Sequence, residues 1–255
     1  MAKIKETATV LSQECIADQI YSLWIQTDKI SSQAKPGQFI SVYSKDGARL
    51  LPRPISICEI EEGKLHIVYR VVGKGTKEFS TYKAGDGIDI LGPLGNGFSL
   101  DDTRKAFLIG GGIGIPPMLE LAKQLKCEKQ VVLGYRNDEL FLKEEFEKAG
   151  AKVYIATEDG SVGTKGNVLD AIKAEGLDAD VLYACGPTPM LRALKEYANE
   201  NDIQAWISME ERMACGIGAC LACVCKSTNV DDHSHVKNKR VCKEGPVFDA
   251  KEVEI

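Results

Sequence analysis

Ala106-Phe107-Leu108-Ile109-Gly110-Gly111-Gly112-Ile113-Gly114-Ile115-Pro116-Pro117 decides the fold class of this 255-residue chain. Four apolar residues in an unbroken run fit a strand buried on both faces, as in a parallel sheet. The run opens through glycines into a helical segment at 118–125, and Pro116 suits a first-turn position. Free N–H groups at a helix start, with the positive end of its dipole, favour a phosphate. The third glycine of a G-x-G-x-x-G fingerprint would fall at Pro117, so the turn departs from that pattern. On spacing alone it is either a phosphate cradle or a plain tight turn.

Working toward the C-terminus, strand-like runs at 130–135, 152–157 and 181–185 alternate with helical stretches at 139–149, 167–174 and 188–199. That alternation predicts a parallel sheet with helices on both faces. A second turn, Cys185-Gly186-Pro187-Thr188-Pro189-Met190, again follows an apolar strand and starts a helix. Two such turns on neighbouring strands form the crevice in which dinucleotides lie. The candidate nucleotide-binding residues are Gly110, Gly111, Gly112, Gly114, Cys185, Gly186 and Pro187. Cys185 reads either as a buried structural thiol or as part of the reacting face. Glu158 and Asp159 close the third strand, where acidic groups accept hydrogen bonds from ribose hydroxyls and repel a 2′-phosphate. They favour NAD, Arg136 is the contrary sign, and a solvated turn is the plain alternative.

Toward the N-terminus the pattern is β-rich. Alternating segments at 7–11, 20–25, 38–43, 55–60 and 65–72 are punctuated by Pro36-Gly37, Asp46-Gly47, Glu62-Gly63 and Gly85-Asp86-Gly87. Short strands with such turns predict a small antiparallel barrel, with one brief helix at 75–82 and a linker at 101–105. Arg53-Pro54-Ile55-Ser56 stands at a strand start, where an arginine beside a hydroxyl can clamp a pyrophosphate. Gly75-Thr76 opens the short helix as another anion site.

Beyond residue 207 lie Cys215, Cys220, Cys223 and Cys242, in the order C-x4-C-x2-C, eighteen residues, C. The first three match plant-type [2Fe–2S] spacing. Ala214, Gly216, Gly218, Ala219 and Ala222 are small enough to let backbone N–H groups close over inorganic sulfide. Structural zinc prefers paired C-x2-C knuckles, which makes a zinc-stabilised interaction protein the poorer fit. Cys225 is a rival ligand that should point away from a site faced by Cys223. His233 and His235 could serve a Rieske-like centre or sit in an exposed loop, and Cys15, Cys58 and Cys127 read as ordinary thiols.

Composition bounds the rest. With 44% hydrophobic and 27% charged residues, the chain reads as an ordinary soluble protein of two domains and a short tail. A net charge of −5 argues against a nucleic-acid partner. No apolar run approaches the roughly 20 residues that span a bilayer, and the polar N-terminus lacks a signal-peptide core. Nine cysteines, five of them within 215–242, suit a reduced cytoplasmic setting better than a secreted disulfide framework.

Taken in order, R-P-x-S, G-G-G-x-G-x-P-P and C-G-P-x-x-M resemble the ferredoxin–NADP reductase superfamily. So do Leu133-Gly134-Tyr135-Arg136 and Lys143-Glu144-Glu145-Phe146. The resemblance implies FAD on the barrel, touched by Arg53, Pro54, Ile55 and Ser56, with Val68, Tyr69, Arg70 and Val71 along the flavin ring. It further implies phosphate at Gly75 and Thr76, and NAD(P)H on the parallel sheet. Ile55 replaces the tyrosine that most members carry. Met209-Glu210-Glu211-Arg212-Met213, the cysteines and Gly245-Pro246-Val247-Phe248 narrow the resemblance to electron-transfer subunits of NAD-dependent, two-subunit dihydroorotate dehydrogenases. That family implies an FMN-containing catalytic partner in a heterotetramer of two each. Electrons then pass through [2Fe–2S] and FAD to NAD+ in pyrimidine biosynthesis. A related reductase subunit serving a hydrogenase, sulfite reductase or ferredoxin is the runner-up. No acid, base or nucleophile constellation is evident, so dihydroorotate oxidation is expected on the partner. The expected architecture is an all-β antiparallel barrel (1–100), an α/β parallel-sheet nucleotide domain (101–207) and an iron–sulfur segment (208–255).

Overall fold

The structure is a computed structural model that describes residues 3–100, 103–230 and 235–255. Part of the expected linker, Asp101 and Asp102, and residues Asp231 to Ser234, including His233, lie outside the described residues.

Strands β1 (Ile4–Ala17), β2 (Ile20–Gln26), β3 (Phe39–Val42), β4 (Arg53–Glu61), β5 (Lys64–Arg70) and β6 (Gly87–Leu94) close a barrel in the order β1-β2-β5-β4-β3-β6. Period-2 alternation drives it: Leu23 and Ile25, Ile40 and Val42, and Leu65 and Ile67 all turn into one buried core. Closure removes exposed edges. Helix α1 (Asp28–Ser31), unforeseen in the sequence, is a four-residue turn too short to show periodicity. Helix α2 (Lys74–Phe79) falls inside the expected 75–82 region, and β5 stops at Arg70 rather than running to 72.

The second half places β7 (Ala106–Gly111), β8 (Lys129–Tyr135), β9 (Lys152–Thr157), β10 (Thr164–Lys165), β11 (Val181–Cys185) and β12 (Gln204–Ser208) in one parallel sheet. On β7, Phe107 and Ile109 face one core while Ala106 and Leu108 face the other, which is why the run reads as unbroken apolar sequence. Helices α3 (Pro116–Gln124), α4 (Lys143–Lys148), α5 (Val168–Ala174) and α6 (Thr188–Glu200) cover the faces. The helix expected at 139–149 begins only at Lys143, because Leu142 sits at φ +64, outside helical space. Phe141 is held there by an edge contact with Tyr135, whose hydroxyl donates to the Phe141 carbonyl at 2.7 Å. Asn167 caps α5, accepting from Leu169 and Asp170 N–H at 2.8 and 3.3 Å.

After residue 208 the chain forms a two-stranded hairpin, β13 (Val224–Lys226) with β14 (Asn238–Arg240), and then β15 (Val247–Asp249). β15 adds antiparallel to β12, making the sheet order β10-β9-β8-β7-β11-β12-β15. Cys223, Cys242 and Phe248 thus share a hydrophobic core with Phe107 and Ile109.

Barrel and sheet meet along β4 and α3. The Ile60 N–H donates to Glu120 Oε2 at 2.7 Å, and Lys123 pairs with Glu59 at 3.1 Å. Glu59 then contacts His66 Nδ1 at 2.8 Å, and His66 Nε2 lies 2.7 Å from Ser22 Oγ. No helix among the described residues is long and apolar enough to cross a membrane.

Candidate cofactor sites

The two glycine turns come together. β7 and β11 are neighbours, with Cys185 opposite Gly110. Gly114 lies so close to the Cys185 carbonyl that it has no room for a Cβ, and a Cβ on Gly111 would sit 2.6 Å from Met190 Sδ. Gly112, at φ +53, has open space before it and forms the mouth of the cradle. Burial, reinforced by the charge of Glu210 and opposed by a hydrogen bond with Ser208, pushes the Cys185 thiol up to about 12. So high a value suits a buried structural thiol better than a nucleophile.

At the other end of the crevice the acidic pair divides its labour. The Asp159 carboxylate accepts from the Ser161 hydroxyl at 2.7 Å and its N–H at 2.9 Å, which holds it below the usual carboxylate range. It is committed to shaping the turn. Glu158 is exposed beside Arg136, whose carbonyl accepts from Asp159 N–H at 3.3 Å.

On the barrel the predicted clamp assembles from residues far apart in sequence. The Arg53 guanidinium lies across the backbone of Gly75, where a Cβ would collide with it, and also donates to the Leu51 carbonyl. Thr76 is buried, and its hydroxyl accepts from Val72 and Gly73 N–H at 3.0 and 3.2 Å. That hydroxyl holds the loop before α2. Tyr69 turns into the barrel core and donates to Gln13 Oε1 at 2.8 Å. Val68 instead joins the core on the nucleotide side, so Tyr69 offers only backbone to the outer face. Leu51 and Val72, 56% and 80% exposed, are apolar surface near Arg53 and Gly75 in the chain. Sequence reasoning missed both, since their only signal is exposure beside Arg53 and Gly75. Ile55 is partly buried against the barrel core.

The four cysteines form two pairs. Cys220 adjoins Cys215 and lowers its thiol, and Cys223 adjoins Cys242 and raises its thiol. Positive φ at Gly216 (+67), Gly218 (+85) and Leu221 (+58) winds the loop so that N–H groups face sulfur. Ile217 and Ala219 donate to Cys215 Sγ at 3.4 and 3.3 Å, Gly218 to Cys242 Sγ at 3.1 Å, and Cys242 to Cys223 Sγ at 3.4 Å. Burial opposes ionisation of Cys215, but the Ile217, Cys220 and Ala219 donors bring it down to about 6. Burial and the neighbouring Cys223 push Cys242 up to about 12, and as a metal ligand it would have to give up that proton.

Two thiolates at each of two irons is what a [2Fe–2S] cluster requires, and the donor set fits it. Cys225, on β13, takes no part in the pairs, and burial pushes it up to about 11. His235 is exposed. Among the described residues, one trio of potential metal ligands lies within 4.8 Å: Cys58, Glu59 and His66. There Glu59 already satisfies His66 and Lys123.

The cysteine loop rests on the barrel. A Cβ on Gly216 would stand 2.9 Å from Ser41 Oγ and 3.4 Å from Leu94 Cδ1. Lys3 Nζ donates to the Ile217 carbonyl at 3.1 Å, and Asn96 Nδ2 to the Glu244 carbonyl at 2.9 Å. Ser41 pairs across the strands with Pro54, so the loop lies one strand away from the Arg53 clamp.

A closed barrel with an arginine clamp, joined to a parallel sheet with paired glycine turns, defines an oxidoreductase of the ferredoxin reductase class. Residues 108–196 match the family model for the oxidoreductase NAD-binding domain, and residues 210–254 that for the iron–sulfur cluster binding domain of dihydroorotate dehydrogenase B. The dihydroorotate dehydrogenase B (NAD(+)) electron transfer subunit of Geobacillus kaustophilus is 47% identical over 259 residues, covering 98% of each chain. Its counterpart in Fusobacterium nucleatum is 45% identical over 264 residues with the same coverage. A solved NADH-dependent reduced ferredoxin–NADP oxidoreductase superposes with a TM-score of 0.87 at 31% identity, covering 98% of this chain and 90% of that one. The ferredoxin reductase of carbazole 1,9a-dioxygenase (TM-score 0.68, 20% identity, 80% of this chain and 67% of that one) shares the fold. The chain belongs to the family of dihydroorotate dehydrogenase B (NAD(+)) electron transfer subunits. FAD, a [2Fe–2S] cluster and NAD are the cofactors of this oxidoreductase component.

Proposed function

We propose that this chain receives electrons from an FMN-containing, dihydroorotate-oxidising partner and delivers them to NAD+, as a step of pyrimidine biosynthesis. The two kinds of subunit assemble two of each in the cytoplasm. Three units divide the work: the FAD barrel at 1–100, the NAD domain at 101–207 and the cluster segment at 208–255. A flavin exchanges either a hydride or single electrons, which is what links a two-electron carrier to a one-electron centre.

The chain's own residues supply position and electrostatics. Cys215 and Cys220 hold one iron, Cys223 and Cys242 the other. Arg53 and the backbone of Gly75 and Thr76 hold the FAD pyrophosphate, while Pro54, Ile55, Ser56 and the strand from Val68 to Val71 line the flavin. Gly110, Gly111, Gly112 and Gly114, with Cys185, Gly186 and Pro187, form the nicotinamide–phosphate cradle, and Glu158 binds the ribose. Ile217, Leu221 and Val224, all exposed around the cysteine loop, face the partner.

The observation that carries this reading is the seat of the cysteine loop on the barrel strand next to the Arg53 clamp, with Gly216 against Ser41. Such a seat makes one electron path from cluster to flavin. Reconstitution tests it. Mixed with an FMN-type dihydroorotate-oxidising subunit, the chain should couple dihydroorotate oxidation to NADH formation. Failure either to bind that subunit or to pass electrons to NAD+ sinks the assignment.

A further inference from the structure

Arg240 ends β14 opposite Val224 and is only 9% exposed. Its guanidinium is fully engaged. Nε and Nη2 donate to the two Glu244 oxygens at 3.0 and 2.5 Å, and Nη1 donates to the Gly218 carbonyl at 3.0 Å. The Arg240 backbone N–H also donates to Glu244 Oε2, at 2.8 Å. Gly218 therefore has its carbonyl gripped by Arg240 while its own N–H points at Cys242 Sγ, 3.1 Å away. The residue lies at φ +85, and a Cβ there would meet Lys243 Cδ at 2.6 Å, so the loop has little freedom to find another pose.

We propose that Arg240 is the positioning residue that sets the reduction potential of the cluster, and that Glu244 is its electrostatic counterweight. The inference rests on Cys215, Cys220, Cys223 and Cys242 being the ligands. One-electron reduction adds negative charge to the cluster. Hydrogen bonds to sulfur and a nearby cation favour the reduced form, and a nearby carboxylate disfavours it. Arg240 contributes on both counts, by fixing the Gly218 N–H on Cys242 and by placing a buried positive charge beside it. Glu244 offsets that charge through a bidentate pair.

The two partners consequently push the potential in opposite directions. Arg240→Gln removes the cation, frees Gly218 and leaves Glu244 uncompensated, so the cluster becomes harder to reduce. Glu244→Gln leaves the cation unopposed, so the cluster becomes easier to reduce. Arg240→Lys keeps the charge without reaching both partners, and falls between wild type and Arg240→Gln. A purely structural role would lower the iron content of the variants and leave the potential of the remaining cluster unmoved.

The test is an EPR-monitored redox titration of the full-length chain carrying its cluster. The expected result is a shift on the order of tenfold in the one-electron equilibrium, about 59 mV, negative for Arg240→Gln and positive for Glu244→Gln. Should Arg240→Gln fail to retain iron, Glu244→Gln and Arg240→Lys decide. Unmoved potentials, or shifts of one sign in both partners, overturn the proposal. A wild-type chain without a reduced-cluster EPR signal would instead fault the ligand assignment.

Discussion

Gly216 presses on Ser41 so closely that a Cβ would stand 2.9 Å from the Ser41 hydroxyl, and Ser41 is itself paired across the barrel with Pro54. Ser41 is 1% exposed, and its Oγ has no hydrogen-bond partner among the described residues. The contact joins the cysteine loop to the strand beside Arg53. Gly216→Ala should strain the loop twice, sterically and through its φ of +67, at a cost of about 1–2 kcal/mol. The expected outcome is retained FAD with slower flavin-to-cluster electron transfer in stopped-flow traces. An unchanged rate would mean that the loop's seat on the barrel does not govern the transfer.

Ligand choice is separable from burial. Cys242→Ser should abolish iron binding, because it removes one member of the Cys223–Cys242 pair. Cys225→Ser places a hydroxyl in a buried site and should cost about 1–3 kcal/mol in thermal unfolding, yet keep full iron. Iron and acid-labile sulfide assays distinguish the two.

Nucleotide preference should follow Glu158 and leave Asp159 aside. NADH should reduce the bound FAD much faster than NADPH. Glu158→Gln should narrow that preference by on the order of tenfold, about 1.4 kcal/mol, while Asp159→Asn should act mainly on the turn with Ser161. Parallel stopped-flow reductions read both effects.

The joint between barrel and nucleotide domain has a predictable pH signature. Burial alone would raise the Glu59 carboxyl, but hydrogen bonds from His66 and Lys123 hold it below its ordinary 4.5. A depressed carboxyl stabilises the fold fully above that ordinary value and loses its contribution as pH falls through the folded value. Glu59→Gln should therefore cost about 1.5–3 kcal/mol at neutral pH, and the gap from wild type should close as pH drops below 4.5. Thermal melts across that range measure it, and a gap that widens in acid would contradict the assignment.

Much of this was legible in sequence because local rules sufficed. Alternation and turn residues disclosed five of the six barrel strands but not β6, where Gly87, Gly92 and Pro93 mask the alternation, and the unbroken run at 106–109 disclosed a strand with a core on each face. What escaped depends on partners distant in the chain. β12 is five residues with Trp206 partly exposed, and only its pairing with β11 and β15 makes it a strand. Leu142 breaks the expected start of α4 through a positive φ that no composition signals. The spacing of the four cysteines suggested a cluster, but their division into 215/220 and 223/242 pairs follows from loop winding. Glu158 and Asp159 look equivalent in sequence, and one turn at Ser161 distinguishes them. Arg240 stands among the lysines of 237–243, and its burial against Glu244 and Gly218 depends on contacts that the local sequence does not display.

An anaerobic NADH titration followed by visible and EPR spectroscopy asks whether one electron path joins nicotinamide, flavin and the four cysteines. In the wild-type chain, NADH should bleach the flavin and bring up the EPR signal of a reduced [2Fe–2S] cluster. In Cys242→Ser the flavin should still bleach with no such signal. A wild-type flavin that bleaches while an intact cluster stays oxidised, or a cluster signal that persists in Cys242→Ser, would contradict it.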